Sequence, residues 1–176
     1  MILRKINAWL SLLTTVMLLD HAIFNGVWML SGGSIPRNAN SMPWILVIVM
    51  MLHAIISIVL GFLGHKGAEN RETKSYQKLN KETIIQRASG VLLIVLTALH
   101  ISGSAGGMRP PKIINAIFLP LFFAIVLMHL AVSGSKAFIT LGIGNARFIK
   151  AADIIIKVIC AITLVIDVVG FYLLLF

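Results

Sequence analysis

Long apolar runs separated by short polar connections set the pattern of this chain. Five runs lie near Ile6–Leu30, Pro43–Gly64, Ile84–Ser102, Ile113–Gly134 and Ala151–Leu174. Each is long enough for a membrane-crossing helix, because about 20 residues at ~1.5 Å rise cover a ~30 Å hydrocarbon layer. Together they take up about two thirds of the chain, which leaves too little for a sizeable soluble core. The pattern predicts an all-α membrane protein with five transmembrane helices, organised as one domain over residues 1–176.

The connections differ in kind. Ser31–Met42 is rich in Gly, Ser, Asn and Pro and reads as an irregular turn. Gly103–Lys112 carries "GGMRPP", a helix breaker. His65–Thr83 is the longest and most polar, with room for a short surface helix. Ser135–Lys150 is expected to extend the fourth helix before the chain turns.

Charge gives the pattern a direction. The chain has a net charge of +9, yet only 12% of its residues are charged and 59% are hydrophobic. With the N-terminus inside, eleven basic residues face the cytoplasm: Arg4, Lys5, Lys66, Arg71, Lys74, Lys78, Lys81, Arg87, Lys136, Arg147 and Lys150. Three face out, namely Arg37, Arg109 and Lys112, and Lys157 lies within the last run. The positive-inside rule accounts for this excess, so the basic balance calls for no nucleic-acid partner. The expected location is the bacterial cell (inner, cytoplasmic) membrane, crossed several times. Arg4 and Lys5 before the first run resemble a signal peptide's start, but the run is too long and lacks a small-x-small cleavage site. Cys160 is the only cysteine, so the chain by itself supplies neither an iron–sulfur cluster nor a c-type haem attachment.

The candidate chemistry lies in histidines. His21, His53, His100 and His129 stand one on each of the first four runs, and His65 sits at a membrane edge. Ionisable residues at membrane depth are costly and by default face the bundle interior. A single one is explained by helix–helix hydrogen bonding; one on each of four helices is harder to explain that way. Depth sorts them into pairs. His21 and His100 stand 15 and 16 residues in from the inner side, or ~22 and ~24 Å at helical rise. His53 and His129 stand 10 and 16 residues in from the outer side, or ~15 and ~24 Å. Each pair is placed to clamp one flat metal macrocycle, and neutral imidazole is a common axial ligand of haem iron. Zinc wants four ligands converging at about 2 Å, and no Cys, Asp or Glu stands by to complete that set. A proton relay needs chains of Asp, Glu and His, and only Asp20 and Asp167 lie deep on the outer side.

Helical spacing adds polar neighbours. Gln86 and Ser89 lie on the His100 stripe, below it and beside the inner pair, and Lys136 and Thr140 follow His129 by 7 and 11 residues. Such groups suit a buried propionate, which must be paired. Lys136 reads equally as a lysine snorkelling to the membrane edge. Ser57 and Gly64 flank His53, where small residues allow close approach.

The stretch "QRASGVLLIVLTALH", with His100 ten residues after Gly90, resembles the diheme cytochrome b subunit of succinate dehydrogenases and quinol:fumarate reductases, the five-helix single-subunit anchor. "FITLGI" after His129 fits as well, and "LHAI" and "DHAIFN" around His53 and His21 fit more weakly. The similarity runs from about Trp9 to Gly144. It implies a four-helix haem-binding bundle plus a fifth helix, with the N-terminus cytoplasmic. It implies two haem b, the outer held by His21 and His100 and the inner by His53 and His129. Electrons would pass between a membrane quinone, expected to be menaquinone, and iron–sulfur and flavoprotein subunits on the cytoplasmic side. His65–Thr83 and Ser135–Lys150 would be the docking surface, and a homodimer of the complex is one assembly it allows. The chain would then be the quinone-reactive or purely electron-carrying subunit of an oxidoreductase. A stand-alone quinone-linked cytochrome b and a haem-free anchor are the alternatives.

The acidic residue that some members of that family use on the second span has no clear counterpart here. Asp167, 16 residues into the last run, is the candidate quinol proton acceptor, and desolvation suits a carboxyl to that work. Its plainer reading, which comes first, is an aspartate bonding a neighbouring helix. Asp153 and Lys157, four apart, read as a local ion pair. Arg87 reads as a partner of the inner propionate or of the iron–sulfur subunit, or as a plain flanking arginine.

Overall fold

A computed structural model of the chain describes residues 2–34, 42–65, 75–105 and 112–176. These residues form five helices and no strand: α1 (Ile2–Leu30), α2 (Met42–His65), α3 (Ser75–Ala105), α4 (Lys112–Leu141) and α5 (Ala146–Leu175). Each contains a stretch long and apolar enough to cross a membrane. The large hydrophobic side chains that remain exposed, such as Trp9, Ile48, Val91, Ile117 and Val165, suit a lipid surround. The protein is a multi-pass helical membrane protein.

The helices outrun the apolar runs. α3 begins at Ser75, so the second half of the polar His65–Thr83 connection is the start of that helix. The rest of that connection (66–74) lies outside the described residues, as do 35–41 of the first connection and 106–111 with "GGMRPP". α4 continues past the apolar run to Leu141, as its sequence predicts. It ends in a glycine-capped turn: the Ile143 amide donates to the Phe138 carbonyl at 3.0 Å and the Gly142 amide to Ile139 at 3.2 Å. Gly142 takes a φ of 73°, open to glycine without a Cβ penalty. Asn145 then caps α5, its side chain accepting from the Phe148 amide at 3.0 Å.

Packing departs from the expected four-plus-one arrangement. α1, α4 and α5 pack on one another, while α2 leans on α1 and α3 on α4. The fifth helix is therefore part of the central unit. Its core is Leu127 and Leu130 of α4 with Cys160 of α5, flanked by Leu18 and Leu19 of α1. Small residues let these backbones approach, as they must where lipid removes the hydrophobic drive between helices. A Cβ on Gly170 would come within 2.9 Å of the Gly26 carbonyl, and one on Gly134 within 2.9 Å of the Ile156 side chain.

Pro120 lies inside α4. Without an amide hydrogen it cannot bond the carbonyl of Ala116, one turn earlier. The Tyr172 hydroxyl of α5 donates to that carbonyl instead, at 3.1 Å. In hydrocarbon, where water cannot serve, an orphaned carbonyl needs such a replacement.

Candidate functional site

The polar side chains predicted to sit around the deeper histidine pair do come together. They gather toward the end of the bundle that carries the N-terminus. His129 of α4 faces α3, where its Nδ1 lies 2.8 Å from Ser89 Oγ. Gly90 lies beside the ring: a Cβ there would meet His129 Cε1 at 3.4 Å, an ordinary contact. Two turns along α4 from His129, Lys136 Nζ donates to Gln86 Oε1 at 3.1 Å. Ser133 and Thr140 spend their hydroxyls on the carbonyls one turn back, His129 at 2.6 Å and Lys136 at 3.0 Å. Both Lys136 and His53 are close enough to His129 for charge on any of them to act on the ring.

His53 reaches this region from α2. The Asn7 backbone carbonyl faces its ring, and Ser57, one turn on, donates to Asn7 Oδ1 at 3.2 Å. Its Nδ1 is buried without a hydrogen-bond partner. A buried imidazole nitrogen in that condition is costly unless something else occupies it. The deeper pair therefore shares one neighbourhood, although α2 and α4 are not among the helix pairs that pack closely.

The other pair is arranged differently. His100 of α3 stacks its ring on Phe122 of α4, with centroids 5.0 Å apart and 29° between planes, and Phe118 continues the row. The backbone carbonyl of His21 accepts from Asn25 Nδ2 at 2.6 Å. α1 and α3, which carry these two histidines, are not a closely packed pair. Among the described residues no three His, Cys, Asp or Glu side chains converge as they would on a bare metal ion.

Asp167 lies outside the histidine region, in the α1–α5 crossing. It is 1% exposed, and neither carboxyl oxygen has a hydrogen-bond partner. A Cβ on Gly26 would sit 2.5 Å from its Oδ1, so the carboxyl presses on the bare backbone of α1. A lipid-borne quinol does not reach a carboxyl so enclosed unless α1 and α5 part. Asp20 is exposed, and so is Arg87. Asp153 does pair with Lys157, at 2.5 Å, and also accepts from Ser135 Oγ at 2.9 Å.

The fit to a haem can be judged at the deeper pair. The residues that would hold it are two imidazoles from different helices, with an amide and an ammonium toward one end to meet propionates. No protein-family model, curated protein or solved structure matches this chain.

Proposed function

We propose that this protein is a diheme b-type cytochrome that anchors a fumarate reductase- or succinate dehydrogenase-like complex in the bacterial cytoplasmic membrane. It carries electrons between membrane quinone and iron–sulfur and flavoprotein subunits on the cytoplasmic side. The observation that carries this reading is the deeper cluster, in which His53 and His129 share a neighbourhood with Ser89, Gly90, Gln86 and Lys136. The excess of basic residues on one side supports a cytoplasmic N-terminus.

In this reading His53 and His129 hold the inner haem, and His21 and His100 the outer. The haems supply one-electron exchange across the bilayer. The chain's own residues do the rest. Lys136 and Gln86 pair the inner propionates. The basic connections on the cytoplasmic side receive the soluble subunits. Asp167 serves a quinol only if α1 and α5 part at Gly26. The stack of His100 on Phe122 favours a second reading, a haem-free anchor in which that histidine packs as an aromatic ring.

The test is a reduced-minus-oxidised spectrum of the purified complex with pyridine-haem quantification. It is repeated for His21→Ala, His53→Ala, His100→Ala and His129→Ala. About two b-type haems per chain, one lost in each variant, is the expected result. A folded complex that retains its soluble subunits and contains no haem overturns the cytochrome and leaves the anchor.

A further inference from the structure

Ser89 is 3% exposed, and its hydroxyl has three neighbours. Two are backbone carbonyls of its own helix, Ile85 at 2.7 Å and Gln86 at 3.1 Å. The third is His129 Nδ1 at 2.8 Å. A serine hydroxyl has one proton to give and two lone pairs to receive with. A carbonyl oxygen only accepts, so an Oγ···O distance of 2.7 Å requires the proton between Ser89 and Ile85. Nothing remains to donate to His129, and Ser89 meets the ring as an acceptor. The Gln86 carbonyl, which also faces the ring, is an acceptor too. Nδ1 must therefore carry the ring proton, and the lone pair of the neutral imidazole falls on Nε2.

We infer that Ser89 is a positioning residue: it fixes His129 as the Nδ1–H tautomer, turns the ring, and presents Nε2 as a ready ligand atom. What Nε2 would bind rests on the haem reading, but the tautomer does not. A ligating histidine whose other nitrogen donates a hydrogen bond is held in orientation and made more basic. The two deeper histidines then differ, because His53 Nδ1 has no such partner.

The experiment uses the full chain, labelled with ¹⁵N-histidine, in lipid bilayers and free of haem. The His129 signals are identified by their loss in His129→Gln. Wild type is expected to show protonated Nδ1 and unprotonated Nε2. Ser89→Ala is expected to lose that preference, and Ser89→Thr, which keeps the hydroxyl, to retain it. Titration with haem b follows, with affinity expected to fall about 10- to 100-fold in Ser89→Ala and to recover in Ser89→Thr. A wild-type His129 protonated on Nε2, or a Ser89→Ala signal identical to wild type, overturns the inference. A locked tautomer in a chain that takes up no haem upholds the role of Ser89 and defeats the cytochrome reading. Haem uptake with an unlocked tautomer does the reverse.

Discussion

The carboxyl of Asp167 pressed against Gly26 shows how much a single missing side chain can decide in this protein. An added methyl at Gly26 would lie 2.5 Å from Asp167 Oδ1 and 2.6 Å from Ile166 Cγ2, so both side chains would have to move. Gly26→Ala is expected to lower stability by about 1–3 kcal/mol, the usual range for overpacking, read as a lower unfolding midpoint in detergent. Removing the carboxyl as well should return part of the loss, so Gly26→Ala and Asp167→Ala are expected to be non-additive in a double-mutant cycle. Asp167→Asn keeps the shape and adds no charge to an enclosed spot that offers no partner, and its midpoint is expected to stay within about 1 kcal/mol of wild type. Asp167→Lys, too long and charged for that space, is expected not to fold. At this scale the sequence was partly legible. Lys136 and Gln86 could be placed together because a stripe of polar groups on an apolar helix has few places to go. The bond from His129 to Ser89 was within reach of the same spacing argument. The tautomer was not, because it depends on where the serine spends its one proton, and that is set by distances of tenths of an ångström.

At the scale of the element, α4 shows one helix repaired by another. Tyr172→Phe removes the donor that serves the Ala116 carbonyl left open by Pro120. The expected cost is about 0.5–1.5 kcal/mol of unfolding free energy. In a Pro120→Ala background the helix supplies its own amide, and the same Tyr172→Phe change is expected to cost less than half as much. Equal costs in the two backgrounds would show that the hydroxyl contributes by packing alone. The positions of all five helices were legible from hydropathy, since lipid selects composition strongly. Their ends were less so. α3 starts at Ser75, well inside a polar stretch, because a helix stops for lack of backbone partners or at a glycine turn and not where the oil ends.

For the whole molecule, the order of packing was the least legible feature. A membrane helix is apolar on most sides whether it meets lipid or protein, so the pattern that locates it does not name its neighbours. The glycines at 26, 134 and 170 were the available signal, since each lets a neighbouring helix come close where the three central helices meet. The arrangement makes α3 the least supported of the helices, held chiefly by α4. In detergent its amides are expected to exchange with deuterium before those of α4 and α5. Exchange that is uniform over α3, α4 and α5 would count against that order.

The contact between α1 and α5 joins two helices whose synthesis is separated by that of three others. Until α5 has been made, the face of α1 that bears Gly26 and Met29 lacks the Asp167 and Gly170 it packs against. It must wait in lipid, or under the care of the insertion machinery, until α5 emerges. Assembly of the central unit is thus completed only when α5 arrives, and a message cut short before Ala146 leaves that face of α1 uncovered for quality control to recognise.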